Sequence, residues 1–178
     1  MRKIYLIREK KSKFGGAEVY LSRLSSALAD KGVEHEIINS IFPSFLPSWL
    51  RIILFNLQVC LTKKNKFYFS LERIICPDIY RAGDGVHKVF LTIEKKSKLN
   101  LLHPVYLFLE KRCFNNAKRI IANSNMVKNE IVNTYDINPE KILSFDTRKI
   151  PVKIPLYKFE LSLNAPLSKF LINDTTSS

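Results

Sequence analysis

The chain has 178 residues, 46% of them hydrophobic and 25% charged. That balance excludes a disordered chain, and the length suits one domain rather than a large two-domain enzyme. Twenty-nine Lys and Arg against 16 Asp and Glu give a formal charge of +13, an attraction to polyanions that names no particular partner.

Residues 3–8 are a short apolar run with Ile and Tyr, which predicts a buried first strand. A run this short is far below the core of a signal peptide. Gly15 and Gly16 follow. Ala17, Tyr20, Leu21, Leu24, Ala27 and Leu28 then recur at helical steps, with Gly32 just past the end. Residues 34–39 predict a second strand, and Pro43 and Pro47 punctuate a loop. Residues 48–62 predict a helix with Ser48 as its N-cap. Its apolar surface and the following Lys63, Lys64 and Lys66 would also suit a membrane surface, but packing on a sheet is the plainer expectation. Residues 41–61 carry Pro43, Pro47, Arg51, Asn56 and Gln58, too many interruptions for a spanning helix.

Residues 66–71 and 77–83 predict a third and a fourth strand. Residues 88–100 are basic and read as loop or weak helix. Pro104 marks the first position of a helix running to about Lys118. Residues 119–123 form another apolar run, Ser124 is an N-cap for a helix to about Tyr135, and residues 141–145 close with a last strand. Alternating strands and helices imply an α/β domain, a parallel sheet with helices on both faces, over 1–145. Residues 146–178, broken by Pro151, Pro155 and Pro166, are expected to form an irregular tail.

Five glycines occur in the chain, and four sit in two clusters, Gly15-Gly16 and Gly83-Asp84-Gly85. Both clusters fall at predicted strand ends, where open α/β sheets bind ligands. The first lacks the fingerprint of a dinucleotide fold or P-loop. It would still let an anion approach the free N–H groups of a helix, and Glu18 suits the positive end of that helix. The second gathers Arg81, Asp84 and His87. Arg can grip a phosphate or carboxylate, Asp can orient a hydroxyl or accept its proton, and neutral His can exchange one hydrogen bond. A tight turn without a ligand explains either cluster about as well. Asn123 and Ser124 stand at a third strand end, Ser124 most simply as a cap.

His35 and His103 stand apart from carboxylates and cysteines, which argues against a metal site. Glu110 beside Lys111 and Arg112 reads as a helix-surface group. Cys60, Cys76 and Cys113 are odd in number, and no two are spaced as a CxxC pair. They read as buried thiols of a reducing compartment rather than a disulfide framework.

Several blocks together resemble one family. The opening KIYLIREKKSKFGGAEVYLSRLSSALADKGVEHEI looks like the N-terminal domain of the family 4 retaining glycosyltransferases of GT-B fold. FYFSLERIICPDIYRAGDGVHKVFL and LEKRCFNNAKRIIANSNMVKNEIVNTYDINPEKI are similar to bacterial members that build the lipopolysaccharide core. The resemblance covers roughly residues 3–143 and implies a Rossmann-like, acceptor-side domain. It implies that Gly15 and Gly16 contact the diphosphate of a nucleotide-sugar donor. Asp84 and His87 would then line the reaction centre. Glu18, Arg81, Gly85, Asn123, Ser124 and Lys128 would serve a glycan or glycolipid acceptor. It further implies transfer without a metal or other cofactor, in the cytoplasm on the inner face of the membrane.

After KIL the family pattern fails. A second, donor-binding domain is expected there, and SFDTRKIPVKIP stands in its place. The expectation is a truncated or frame-shifted product, or one half of a split enzyme with a separate C-terminal donor domain, inactive alone. The alternative is a non-enzymatic basic α/β module that binds an anionic membrane or nucleic acid. Nucleic acid is not expected, because no reading helix or basic-aromatic sheet face is evident.

Overall fold

A computed structural model describes residues 3–10, 15–94 and 101–144. The expected tail at 146–178 and residues 95–100 of the basic stretch lie outside the described residues. Six strands form one sheet: β1 (Ile4–Ile7), β2 (His35–Ile38), β3 (Phe67–Ser70), β4 (Ile79–Ala82), β5 (Arg119–Ala122) and β6 (Ile142–Ser144). Among the described residues five α-helices connect them: α1 (Gly16–Asp30), α2 (Ser48–Thr62), α3 (His87–Glu94), α4 (Leu102–Asn116) and α5 (Asn125–Tyr135). The strand order is β2-β1-β3-β4-β5-β6, and every pair is parallel. This is the expected Rossmann-like α/β architecture.

The order explains the two-sided core. From β1 the chain goes outward to β2, then returns past β1 to β3 and continues the other way. Right-handed crossovers in opposite directions put their helices on opposite faces. Leu21, Leu24 and Leu28 of α1 pack on Ile4, Leu6, Phe69 and Ile79. On the other face Phe55 and Val59 of α2 meet Ile7 and Tyr68. Beside them Cys113 and Phe114 of α4 and Val127 and Ile131 of α5 cover Tyr80, Ala82, Ile120 and Ala122. Alternate residues of β1 thus serve opposite faces, and burial on both makes its sequence continuously apolar. The direction reverses between β1 and β3, and such a switch opens a crevice at the carboxyl ends of the strands.

The helix starts depart from expectation in two places. α2 is capped by Pro47, not Ser48, and Arg51 N donates to Pro47 O at 3.0 Å to begin the ladder. Proline's fixed φ and its extended ψ of 137° lead the chain into the helix one residue early. Pro104 is the third residue of α4, not the first, and Leu101 is the cap. The first turn has no intrahelical partner for its N–H groups, so proline is tolerated throughout it. The basic stretch after residue 87, read as loop or weak helix, holds a regular helix, α3.

Candidate functional site

Both glycine clusters lie at the carboxyl edge of the sheet. Gly15, with φ of 135°, caps α1 and accepts from Val19 N at 3.1 Å. A side chain at Gly15 would run into the Glu18 carboxylate, whereas Gly16 faces open space. Glu18 is held there by Arg8, whose Nη2 donates to its Oε1 at 2.7 Å. That bond holds the Glu18 carboxyl below the usual range. Arg8 Nη1 also donates to Glu72 Oε1 at 2.5 Å. Burial pushes the Glu72 carboxyl upward, against the pull of Arg8. Next along the edge, Arg51 Nε donates to Glu9 Oε1 at 2.5 Å.

Arg8 and Glu72 were missed by sequence reasoning. The only signal was charge at the ends of two predicted strands. Their arrangement puts the Gly15 loop under a carboxylate, with one guanidinium shared between two acids.

The second loop is tied from three sides. Arg81 stacks on the Tyr20 ring of α1, 4.0 Å from its centroid, and a side chain at Gly83 would strike its guanidinium. Asn123, just past β5, donates from Nδ2 to Gly83 O at 2.8 Å. Its buried Oδ1 meets no hydrogen-bond donor among the described residues. Arg73 Nη2 donates to Gly85 O at 3.2 Å. Asp84 at the loop tip is exposed.

Gly85 has φ of 72°, and only Glu130 Oε2, at 3.7 Å, stands near an added Cβ. Backbone strain, not space, therefore sets the cost of a side chain. Gly85→Ala is expected to destabilise the chain by about 1–2 kcal/mol. A thermal melt superimposable on the parent's would refute this.

His87 opens α3, and its backbone N–H and that of Lys88 point at Glu110. Glu110 Oε1 accepts from His87 N at 2.8 Å and from Arg73 Nε at 3.0 Å. Glu110 Oε2 accepts from Tyr135 OH at 2.7 Å and from Lys88 N at 3.3 Å. Glu110 is 0% exposed, so the expectation of a helix-surface group is wrong. Its neighbours Lys111 and Arg112 are exposed, while Glu110 falls on the α4 face that meets the sheet. This buried carboxylate fixes where α3 begins.

The His87 ring is half-buried, with Nε2 3.2 Å from His103 Nδ1. Phe90 and Tyr106 flank it at centroid distances of 5.8 and 5.1 Å. Burial first, then the charge of Arg73, pull its pKa below the usual value. His87 is therefore a neutral imidazole at neutral pH, suited to one hydrogen bond with a hydroxyl. The neighbour of His103 is thus the His87 ring, neither a carboxylate nor a cysteine. His35 meets Ser25 Oγ at 2.7 Å.

Ser124 caps α5 through Val127 N at 3.2 Å, as expected. Lys128 Nζ donates to Ile142 O at 3.0 Å and steadies β6. Gly83, Asp84, Gly85, His87 and Asn123 thus share one loop cluster, and Gly15, Gly16, Glu18 and Arg81 share the α1 side of the same edge. Among the described residues no group of three or more His, Cys, Asp or Glu could hold a metal ion. Nor is any described helix long and apolar enough to cross a membrane.

A parallel sheet with helices on both faces and two glycine loops at its carboxyl edge defines a Rossmann-like α/β domain. Residues 79–143, which carry the second loop, match the family model described as Glycosyltransferase Family 4. The solved structures similar to the chain include that of WaaG, a glycosyltransferase involved in lipopolysaccharide biosynthesis. The TM-score is 0.68 at 17% identity, over 90% of this chain and 51% of that one. The fold is thus that of a GT-B glycosyltransferase, of which this chain spans about half the length. A comparison with curated protein sequences found no match.

Proposed function

We propose that the chain is the N-terminal, acceptor-side half of a nucleotide-sugar-dependent glycosyltransferase of lipopolysaccharide or another cell-envelope glycan. The observation that carries this reading is the family match over 79–143, which spans the Gly83–His87 loop at the sheet's carboxyl edge. In this reading Gly15 and Gly16 approach the donor diphosphate, which must displace or avoid the Glu18 carboxylate. Asp84, exposed at the loop tip, orients an acceptor hydroxyl. Neutral His87 supplies a hydrogen bond at the reaction centre without adding charge. Arg81, Gly85, Asn123, Ser124 and Lys128 frame the acceptor, with Glu18 on its far wall. The transfer needs no metal. The domain works in the cytoplasm against the inner membrane face, where a charge of +13 favours anionic lipid and phosphorylated acceptors. A C-terminal domain holds the donor.

The test is a titration of the isotope-labelled 178-residue chain with a phosphorylated core oligosaccharide, followed by NMR. Shifts are expected to concentrate in Gly15–Tyr20 and Gly83–Lys88. The same chain incubated with nucleotide-sugars is expected to transfer no sugar. Steeply salt-dependent binding to oligonucleotides, with none to the saccharide, would replace this reading with the basic-module alternative.

A further inference from the structure

Cys60 lies in the last turn of α2, and Cys76 lies in the segment that leads into β4. Their Sγ atoms are 3.0 Å apart. Cys113 is buried as expected, whereas Cys60 and Cys76 are only partly buried. A disulfide needs a sulfur separation of about 2.05 Å, so the two side chains need move only slightly.

The backbone around them is already held in place. Asn56 stands one turn before Cys60 on the same face of α2. It donates to Arg73 O at 3.3 Å and accepts from Ile75 N at 2.9 Å. From the other side Asn116 donates to Ile75 O at 2.8 Å. The residue before Cys76 is thus pinned to both α2 and α4.

The pair is also chemically unequal. The hydrogen bond from Cys76, aided by the charge of Lys63 and opposed by burial, brings Cys60 down to about 7. The Cys76 thiol is pushed the other way, chiefly by the same bond and by burial. Lys63 just past α2, Tyr68 from β3 and Asp78 just before β4 are the ionisable groups that face the two sulfurs.

We propose that Cys60 and Cys76 are a reversible thiol–disulfide switch, with Cys60 as the attacking and Cys76 as the resolving sulfur. The oxidant is a peroxide. The Cys60 thiolate attacks one peroxide oxygen, an S–O bond forms and the O–O bond breaks. The departing hydroxide takes a proton and leaves as water. Cys76 sulfur then attacks the sulfenic acid at Cys60. An S–S bond forms, the S–O bond breaks, and the hydroxide leaves with the Cys76 proton as a second water. The two thiols lose two electrons and the peroxide gains them. A small thiol reverses the step by exchange.

The bond would clamp the segment that carries Glu72 and Arg73. Glu72 holds Arg8 under the first glycine loop, and Arg73 holds Glu110 and Gly85 O under the second. Oxidation therefore stiffens the supports of both loops without touching either.

The full chain is reduced, treated with stoichiometric hydrogen peroxide, digested without reductant and mapped by mass spectrometry. The expected product is a Cys60–Cys76 peptide pair two hydrogens lighter than the reduced peptides, with Cys113 unmodified. The oxidised chain should melt about 5–10 °C higher and return to the reduced value with dithiothreitol. Alkylation of Cys60 should have its midpoint near pH 7 and move upward in Cys76→Ala. Should that variant fail to fold, the map of the parent chain decides alone. Accumulation of sulfinic acid at Cys60 without the cross-link, or cross-links through Cys113 or between chains, would overturn the proposal.

Discussion

Replacing Glu110 by Ala is expected to lower the unfolding free energy by about 3–5 kcal/mol, read as a large fall in the urea midpoint. The magnitude follows from what the carboxylate leaves behind. Arg73, whose side chain is 12% exposed, would keep the Gly85 carbonyl as the one hydrogen-bond acceptor for its buried charge among the described residues. The His87 and Lys88 N–H groups would lose the acceptor at the start of α3, and the Tyr135 hydroxyl would lose its own. An orphaned buried charge costs more than the intact pair contributes, so the double variant Arg73→Leu/Glu110→Leu should cost clearly less than the sum of the single changes. A local readout separates this from general loosening: amide exchange at His87 and Lys88 should accelerate more than in the α1 core. A Glu110→Ala change within about 0.5 kcal/mol of the parent would return Glu110 to the helix surface.

The same residue shows what a single sequence can and cannot reveal. β1, β5 and the Ser124 cap were legible because their determinants are local: an apolar run, and a hydroxyl three residues before the amide it accepts from. The fold class followed from the alternation of such elements. α3 was not legible, because the acceptor for its first N–H groups comes from a residue 23 positions away. Glu110 is flanked by Lys111 and Arg112, and that charged neighbourhood suggests solvent. Only the packing of α4 on the sheet turns it inward. The Cys60–Cys76 pair is invisible for a related reason, since sixteen residues and a whole strand separate sulfurs that tertiary structure brings together. At the candidate site the glycine clusters were legible as places where the backbone bends at strand ends. Their supports, Arg8, Glu72 and Arg73, were not, because a charged residue after a strand looks the same whether it faces water or an ion pair.

A second node of this hidden kind lies at the opposite edge of the sheet, and Asp78→Ala is expected to cost about 2–4 kcal/mol. The Asp78 side chain is 7% exposed. Its Oδ2 accepts from Lys63 Nζ at 2.6 Å and from Tyr68 N at 2.9 Å, and Lys118 Nζ lies 3.1 Å from Oδ1. One carboxylate therefore joins the end of α2, the middle of β3 and the turn before β5. Burial alone would raise its pKa, but the Lys63 bond, the Tyr68 amide and the nearby positive charge outweigh it and hold it below the usual carboxylate value of 3.8. A carboxyl depressed in the folded state contributes stability that is complete above its unfolded pKa and is lost as pH falls through the folded one. The stability difference between the parent and Asp78→Asn should therefore hold steady above about pH 5 and shrink progressively below about pH 4. Glu72, whose carboxyl is raised, changes stability in the opposite sense with pH. That contribution is common to both proteins and cancels in the difference. Urea unfolding of the two proteins from pH 7 to pH 3 measures the effect directly. A difference that stayed constant across the range would mean that the Lys63 and Lys118 contacts do not favour the ionised form. Asp78 would then matter only as the acceptor for the Tyr68 amide.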